Sequence, residues 1–257
     1  MIRFSLLGSG SSGNAILVVA GGSKILIDNG LSYRQLQLRA AQVGESLDDL
    51  KAVFVTHEHS DHVLGLGVLS RKMGVPIYMT AGTAENLPVK LTGLAGVQTF
   101  ESGDTIALNG VQLHSFRVSH DAADPVSYVV EHDDTRLGVA ADLGLASQLV
   151  KQRLAGAHAL VLESNYCPNM LRRSSYPPAI RQRISGRTGH LSNAAACSLL
   201  KVLRHEQLRL VVLVHISMEN NTHETAMTMA TQVLAGSRAR ICCAEQDHPT
   251  EMFEVLP

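Results

Sequence analysis

Four candidate metal ligands lie within six positions of this chain, in the run His57-Glu58-His59-Ser60-Asp61-His62. The run follows the apolar residues 52–55, which predict a buried strand. Three imidazoles and a carboxylate held this close are costly to desolvate and repel one another once the histidines are protonated, whereas a bound cation removes both costs. In an extended segment His57 and His59 point the same way, and a turn then brings Asp61 and His62 to a neighbouring position. We therefore expect one stretch to serve two metals rather than to form a histidine-rich surface loop.

Length and composition indicate a globular protein of ordinary character. The chain has 257 residues, of which 45% are hydrophobic and 18% charged, and its net charge is −1. A chain of this length buries a substantial core, and its charge as a whole gives no sign of nucleic-acid or membrane binding. No apolar run approaches the ~20 residues of a membrane helix, and the first residues lack a long apolar leader. We therefore expect a cytoplasmic protein without membrane association.

Apolar runs and turn residues predict two β-rich units, each followed by helices. The first unit has predicted strands at 2–7, 15–19, 24–27, 52–55 and 77–79 and predicted helices at 32–44 and 63–73. The second has predicted strands at 137–141, 159–163, 209–214 and 239–243, with predicted helices at 145–154, 191–204 and 222–235. Asn109-Gly110 and Asp133-Asp134 predict hairpin turns between them. The pattern favours an α/β (α+β) chain folded as a four-layer αββα sandwich, with residues 1–257 forming a single domain.

Three more candidate ligands stand where apolar runs end, namely His120, Asp142 and His215. Strand ends are held rigidly and open onto the same edge of a sheet, so a polar residue there is awkward for a core and natural for a ligand. Any one of the three, taken alone, is more often structural. Together, and in this order after the histidine cluster, they form a coherent ligand set.

This ligand pattern resembles that of the metallo-β-lactamase-fold hydrolases. The resemblance implies one metal bound by His57, His59 and His120, a second bound by Asp61, His62 and His215, and Asp142 bridging both. The metals would be two divalent ions, zinc or manganese, with iron as an alternative. Residues 25–30 resemble the family's early Asp-x-Gly turn, whose aspartate, here Asp28, supports the ligand loops rather than binding metal.

The family fold serves several chemistries, so its function must be argued from other residues. Between Glu163 and Glu206 there is no acidic residue but there are seven cationic ones. We expect five of these to contact a nucleic-acid backbone, namely Arg172, Arg173, Arg181, Arg183 and Arg187. A solvated basic face is the alternative.

Two further segments are candidates for phosphodiester chemistry. The run 189–193 resembles the His-Ser/Thr motif of tRNase Z and RNase J relatives, which implies that His190 is the general acid and Glu163 its orienter. The alternative is a helix-capping loop with an incidental histidine. The Gly/Ser-rich loop 7–15 could cradle a phosphate through Ser11, Ser12 and Asn14, or it could be a plain hairpin turn.

Together with residues 119–122 and 215–221, that loop is most similar to the YycJ/WalJ branch of the family, small bacterial members linked with DNA exonuclease activity. Only 72 residues separate Asp142 from His215, too few for the β-CASP insert of RNase J. The resemblance implies a dinuclear-metal-dependent phosphodiesterase or nuclease, with DNA favoured over RNA as substrate. A metal-bridging hydroxide would attack phosphorus while Asp61 accepts a hydrogen bond from it and His190 protonates the leaving oxygen.

Two alternatives stay open at this stage. One is a thioesterase or lactonase of the same fold acting on a small acyl substrate, and the other is a non-catalytic metal-binding regulator. The sequence leaves the oligomeric state undecided, with a homodimer among the options.

Overall fold

The computed structural model describes residues 1–91 and 93–257. The strands are β1 Ile2–Gly8, β2 Ala15–Ala20, β3 Ser23–Ile27, β4 Leu50–Phe54, β5 Ile77–Thr80, β6 Val97–Phe100, β7 Thr105–Leu108, β8 Val111–Arg117, β9 Val126–His132, β10 Thr135–Ala140, β11 Ala159–Glu163, β12 Leu210–Val214, β13 Arg240–Cys243 and β14 Phe253–Val255. The helices are α1 Tyr33–Gln42, α2 Ser60–Val63, α3 Leu66–Met73, α4 Ala81–Glu85, α5 Gln148–Leu154, α6 Pro168–Arg173, α7 Pro178–Ser185, α8 Asn193–Leu203 and α9 His223–Val233, with a 3₁₀ turn at Val89–Leu91. In the described part of the chain, none of the helices has the length and apolarity that crossing a membrane requires.

The strands form two seven-stranded sheets of matching design, in the orders β14-β1-β2-β3-β4-β5-β6 and β13-β12-β11-β10-β9-β8-β7. In the first sheet the pairs from β14 to β3 are antiparallel and those from β3 to β6 are parallel. In the second the pairs from β7 to β10 are antiparallel and those from β10 to β13 are parallel. The carboxyl ends of β3 and β4, and likewise those of β10, β11 and β12, therefore open at one edge of each sheet.

The sheets pack face to face, and helices cover their outer faces. One buried cluster lies between the sheets and includes Phe54 from β4 and Tyr128 from β9. A second cluster lies under α5, α8 and α9, and a third lies under α1 and α3. In β12, Val212 faces the first cluster and Val211 faces the second, so that strand is apolar on both sides. The predicted four-layer αββα sandwich is confirmed.

Several element boundaries differ from the sequence-based prediction. The helix predicted at 63–73 begins at Leu66 as α3, since a short separate helix, α2, ends at Val63 and the amide of Gly65 donates to the carbonyl of Asn29 between them. The helices predicted at 145–154 and 191–204 begin later, after the capping residues Ser147 and Ser192. Helices α6 and α7 escaped prediction because both are short, and α7 buries none of its residues, so the segment has no apolar periodicity.

Substitution of Phe54 tests the contribution of the core between the sheets to stability. Its ring is fully buried, stacks on Tyr78 at 4.8 Å and meets Tyr128 edge-on at 6.0 Å. We expect Phe54→Ala to lower the free energy of unfolding by about 3–5 kcal/mol, measured by urea denaturation, because the substitution leaves a cavity between the sheets. Leu38→Ala, at a half-exposed helix position, should change it by less than about 0.5 kcal/mol. Equal effects of the two substitutions would contradict the assignment of the core between the sheets.

Candidate metal centre

All seven predicted ligands lie together where the carboxyl ends of β4, β10 and β12 approach one another. The ligand atoms of His57, His59 and His120 lie within 4.8 Å of one another. His59 Nδ1 is 3.2 Å from His120 Nε2, and His57 Nε2 is buried without a hydrogen-bond partner among the described residues. Three imidazole nitrogens thus converge on one small volume.

A second group lies beside the first. The ligand atoms of Asp61, His62 and His215 also lie within 4.8 Å of one another. His62 Nε2 is 3.4 Å from Asp61 Oδ2. His215 Nε2 is 3.6 Å from the same oxygen, and this second distance is too long for a hydrogen bond.

Asp142 lies between the two groups. Its ligand oxygen groups with His57 and His62 within the same 4.8 Å limit. Asp142 Oδ2 is 3.1 Å from His62 Nε2, but in a direction that makes no hydrogen bond with it. The carboxylate therefore has contacts in both groups of candidate ligands.

Asp28 and Thr56 orient two of the histidines. Asp28 Oδ2 accepts hydrogen bonds from His62 Nδ1 and from the Thr56 hydroxyl, both at 2.8 Å, and Asp28 Oδ1 accepts one from the Thr56 amide. The Thr56 oxygen in turn lies 2.9 Å from His57 Nδ1 and accepts its proton. Both rings are thereby turned so that Nε2 faces the centre. Sequence reasoning missed Thr56, for which the available signal was a hydroxyl residue directly before the histidine cluster.

Backbone conformation helps to aim these side chains. Asp28, Asp142 and His215 have φ values of 61°, 53° and 54°, in the left-handed region that non-glycine residues adopt only when their surroundings require it. Each follows the end of a strand, so the chain turns sharply there. At Gly30 a β-carbon would lie 1.7 Å from the carbonyl oxygen of Asp61, so the Asp-x-Gly turn admits only glycine at this position.

The charged groups of the centre compensate one another in part. Burial lowers the pKa of His57 well below its ordinary value, and nearby His62 lowers it further. Burial also opposes protonation of His215, but Asp142 overcomes it and raises the pKa of His215 to about 10. Burial disfavours a charged Asp61 as well, yet His215 and His62 hold the pKa of that carboxyl below its usual range. The buried charges thus compensate one another, and a bound cation would displace the protons.

Glu163 and His190 border both groups. Glu163 is fully buried, its Oε1 lies 2.7 Å from His190 Nδ1, and its Oε2 accepts the amides of Leu143 and Leu191. The His190 ring lies 5.3 Å from that of His120. Burial lowers the pKa of His190, but Glu163 outweighs that effect and raises it above its ordinary value. His190 is therefore held beside the cluster with its Nδ1 directed at Glu163.

The residues present fit divalent metal ions. Three buried atoms aimed into the centre have no hydrogen-bond partner among residues 1–91 and 93–257, namely His57 Nε2, Asp142 Oδ2 and His215 Nε2. Buried polar atoms in folded proteins almost always have a partner, so the three require one. Imidazole nitrogens with carboxylate oxygens are the donor set that zinc, manganese and iron accept.

The Gly/Ser-rich loop, which is predicted to cradle a phosphate, contacts two of the candidate ligands. Asn14 Nδ2 donates to Asp61 Oδ2 at 3.0 Å, and Ser9 Oγ accepts the amide of His215 at 2.9 Å. The amide of Ser12 is already bonded to the side chain of Gln246. Ser11 and Ser12 are exposed. Asn14 is thus engaged with a candidate ligand, which the sequence pattern did not indicate.

The five predicted substrate-binding arginines lie on or beside α6 and α7, and one of them is bound next to the centre. Arg183 Nε donates a hydrogen bond at 2.5 Å to Oδ2 of Asp121, the residue that directly follows His120 in the chain. Arg172 and Arg181 instead bond to neighbouring residues of their own segment. The remaining two, Arg173 and Arg187, are exposed. The structure therefore separates Arg183 from the other four.

Comparison with known proteins identifies the family. The beta-lactamase superfamily domain model matches residues 23–216. Exodeoxyribonuclease YycJ of Bacillus anthracis is 34% identical over 252 residues, which cover 97% of this chain and 96% of that protein. Exodeoxyribonuclease WalJ of Streptococcus pneumoniae serotype 2 is 34% identical over 236 residues, 90% of this chain and 88% of that protein. Among solved structures, the metallo-beta-lactamase fold protein YhfI from Bacillus subtilis superposes with a TM-score of 0.73 at 17% identity, over 97% of this chain and 98% of its own.

The chain belongs to the beta-lactamase superfamily, in the group of YycJ and WalJ. The expected resemblance to that branch is confirmed, and so is the expectation of a hydrolase.

The support given by Asp28 can be measured through metal affinity. We expect Asp28→Asn to weaken zinc binding by about 10- to 100-fold, because His62 loses the charged acceptor that fixes its ring. Competition with a fluorescent chelator measures this affinity. Asp134→Asn, at an exposed hairpin position, is the matched control and should bind zinc like the wild type. Wild-type affinity in Asp28→Asn would show that the carboxylate has no orienting role.

Proposed function

We propose that this protein is a dinuclear-metal-dependent phosphodiesterase that degrades nucleic acid, with DNA favoured over RNA and with exonuclease action. The observation that carries the proposal is the position of His190, fixed by Glu163 beside two adjacent groups of candidate ligands. A thioesterase releases a thiolate, which leaves without being protonated, and a regulator that keeps its metals for structure needs no proton donor.

The proposed ligands divide between two ions. His57, His59 and His120 would hold one, Asp61, His62 and His215 would hold the other, and Asp142 would contact both. When bound, divalent cations lower the pKa of water from ~15.7 towards ~7 and neutralise charge on phosphate oxygens. Asp61 would accept a hydrogen bond from the attacking water, while Asn14, which donates to the same carboxylate, keeps it in place.

His190 would donate a proton to the departing oxygen. Because Nδ1 faces Glu163, the proton available for the departing oxygen is on Nε2, which has no partner in the described residues. Glu163 raises the pKa of His190 and so favours the protonated ring. General acid catalysis of this kind contributes roughly 10²–10⁴-fold to rate.

The relatives support the choice of substrate. YycJ and WalJ are both named as exodeoxyribonucleases, and they match this chain over nearly its whole length. Arg183 of α7 lies beside the proposed centre, and the other arginines on or next to α6 and α7 add positive charge for a nucleic-acid backbone.

An assay with defined substrates tests the proposal directly. We expect the protein supplied with zinc or manganese to shorten end-labelled single- or double-stranded DNA from its ends, faster than matched RNA. His59→Ala should remove the activity. Hydrolysis of small thioesters or lactones without any cleavage of nucleic acid would favour the acyl hydrolase instead.

Substitution of His190 tests the proton donor. We expect His190→Ala to reduce kcat by about 10²–10⁴-fold with both metals still bound, because the leaving oxygen loses its proton source. Steady-state kinetics and metal analysis of the same sample give both quantities. His248→Ala, which removes an exposed histidine, should leave kcat and metal content unchanged. A His190→Ala protein with wild-type kcat would rule out general acid catalysis by this residue.

Substitution of Asp142 tests its proposed role as the ligand that would contact both metal ions. We expect Asp142→Ala to lose activity and at least one equivalent of metal while circular dichroism stays that of the wild type, because the side chain contacts both ligand groups but belongs to no core cluster. Full nuclease activity in this variant would show that the ligand assignment is wrong.

A further inference from the structure

Asp121 lies between the candidate metal centre and helix α7. Its Oδ1 is 3.4 Å from His120 Nε2 and 3.9 Å from His59 Nε2, and its Oδ2 accepts the hydrogen bond from Arg183 Nε. Burial disfavours the charged form of Asp121, but Arg183 and His120 outweigh it and lower the pKa of the carboxyl. The carboxylate thus ties an arginine to the rim of the centre.

The backbone of Arg183 is fixed by the same loop that carries His190. At Gly189 a β-carbon would lie 2.2 Å from the carbonyl oxygen of Arg183, so only glycine allows this approach. The Gly189 carbonyl in turn lies 3.1 Å from His120 Nδ1, and the His190 amide donates to the Ile184 carbonyl. The end of α7, the proton donor and a candidate ligand are therefore packed as one unit.

The Arg183 side chain uses only part of its hydrogen-bonding capacity. Nε is bonded to Asp121, whereas Nη1 and Nη2 have no partner within the residues that the structure describes, and 55% of the side chain is exposed. A guanidinium fixed at Nε presents its two terminal amino groups as a planar fork, the geometry that binds two phosphate oxygens.

We propose that Asp121 is a positioning residue that holds Arg183 to bind the phosphate next to the scissile one on a nucleic-acid strand. The inference deepens the proposed function and rests on it. The scissile phosphate would bind at the candidate metal ligands and His190. The carboxylate of Asp121 lies between these residues and Arg183. A flanking phosphate is therefore the anion within reach of the fork.

The binding role predicts a change in KM rather than in kcat. For a single-stranded DNA oligonucleotide, we expect Arg183→Ala to raise KM about tenfold with kcat within about twofold. Asp121→Asn should raise KM about threefold to fivefold, because the guanidinium remains but is no longer fixed. The double variant should match Arg183→Ala, since Asp121 acts only through Arg183. Arg238→Ala, an exposed arginine preceding β13 at the other end of the sheet, is the matched control.

Salt dependence separates phosphate binding from a merely structural ion pair. Loss of one phosphate contact should reduce the slope of log(kcat/KM) against log[salt] by about 0.7 in Arg183→Ala. Arg183→Lys keeps the charge but not the fork, so it should retain the slope while KM rises. If Arg183→Ala lowered Tm but left KM and the slope unchanged, the pair would only anchor α7 and the inference would be wrong.

A binding experiment distinguishes this inference from the proposed function. Fluorescence anisotropy with a labelled oligonucleotide and metal-loaded His190→Ala protein measures affinity without turnover, with and without Arg183→Ala. If the wild type cleaves no nucleic acid but the protein binds it in an Arg183-dependent way, the nuclease proposal is overturned and the phosphate site is kept. Cleavage by the wild type with an affinity independent of Arg183 would do the reverse. Neither binding nor cleavage would overturn both.

Discussion

The crowding of five imidazoles and two carboxylates at the meeting edges of the two sheets is the constraint to which the rest of the molecule responds. Such a set is unfavourable when buried unless its charges are matched and its atoms are partnered. Part of the matching is internal, because Asp142 raises the pKa of His215. The hydrogen bonding is incomplete, because His57 Nε2 and His215 Nε2 are buried and have no partner in the described structure. The donor set and this deficit both indicate divalent metal ions.

Around these atoms, a layer of hydrogen bonds decides which nitrogen of each ring faces inward. The pair Asp28 and Thr56 fixes two rings, the Gly189 carbonyl fixes His120, and Glu163 fixes His190. These supports come from both sheets, so neither half of the sandwich could form the centre alone. The left-handed backbone of three strand-end residues shows that the fold tolerates strain there in order to aim polar side chains.

Features with a local origin were predictable from the sequence. The fully buried strands have continuous apolar runs, and the positive φ of Asn109 and Asp133 agrees with the hairpin turns that their sequences predict. The candidate ligands could be picked out because each follows such a run. Helix α7 could not be predicted, because it buries no residue and so has no apolar stripe. The contact of Asn14 with Asp61 joins residues 47 positions apart, and no local pattern encodes it.

By itself, the sequence determined which side chains could serve as ligands and the layered sheet architecture that brings strand ends together, because apolar periodicity and clustered histidines are local properties. Only the tertiary structure decided which atoms converge, which partners orient them and which arginine lies beside the centre. The five arginines are chemically alike, and Arg183 is singled out by Asp121 and by the space that Gly189 leaves for its backbone. Such distinctions depend on distances between remote segments, and those distances exist only once both sheets have packed.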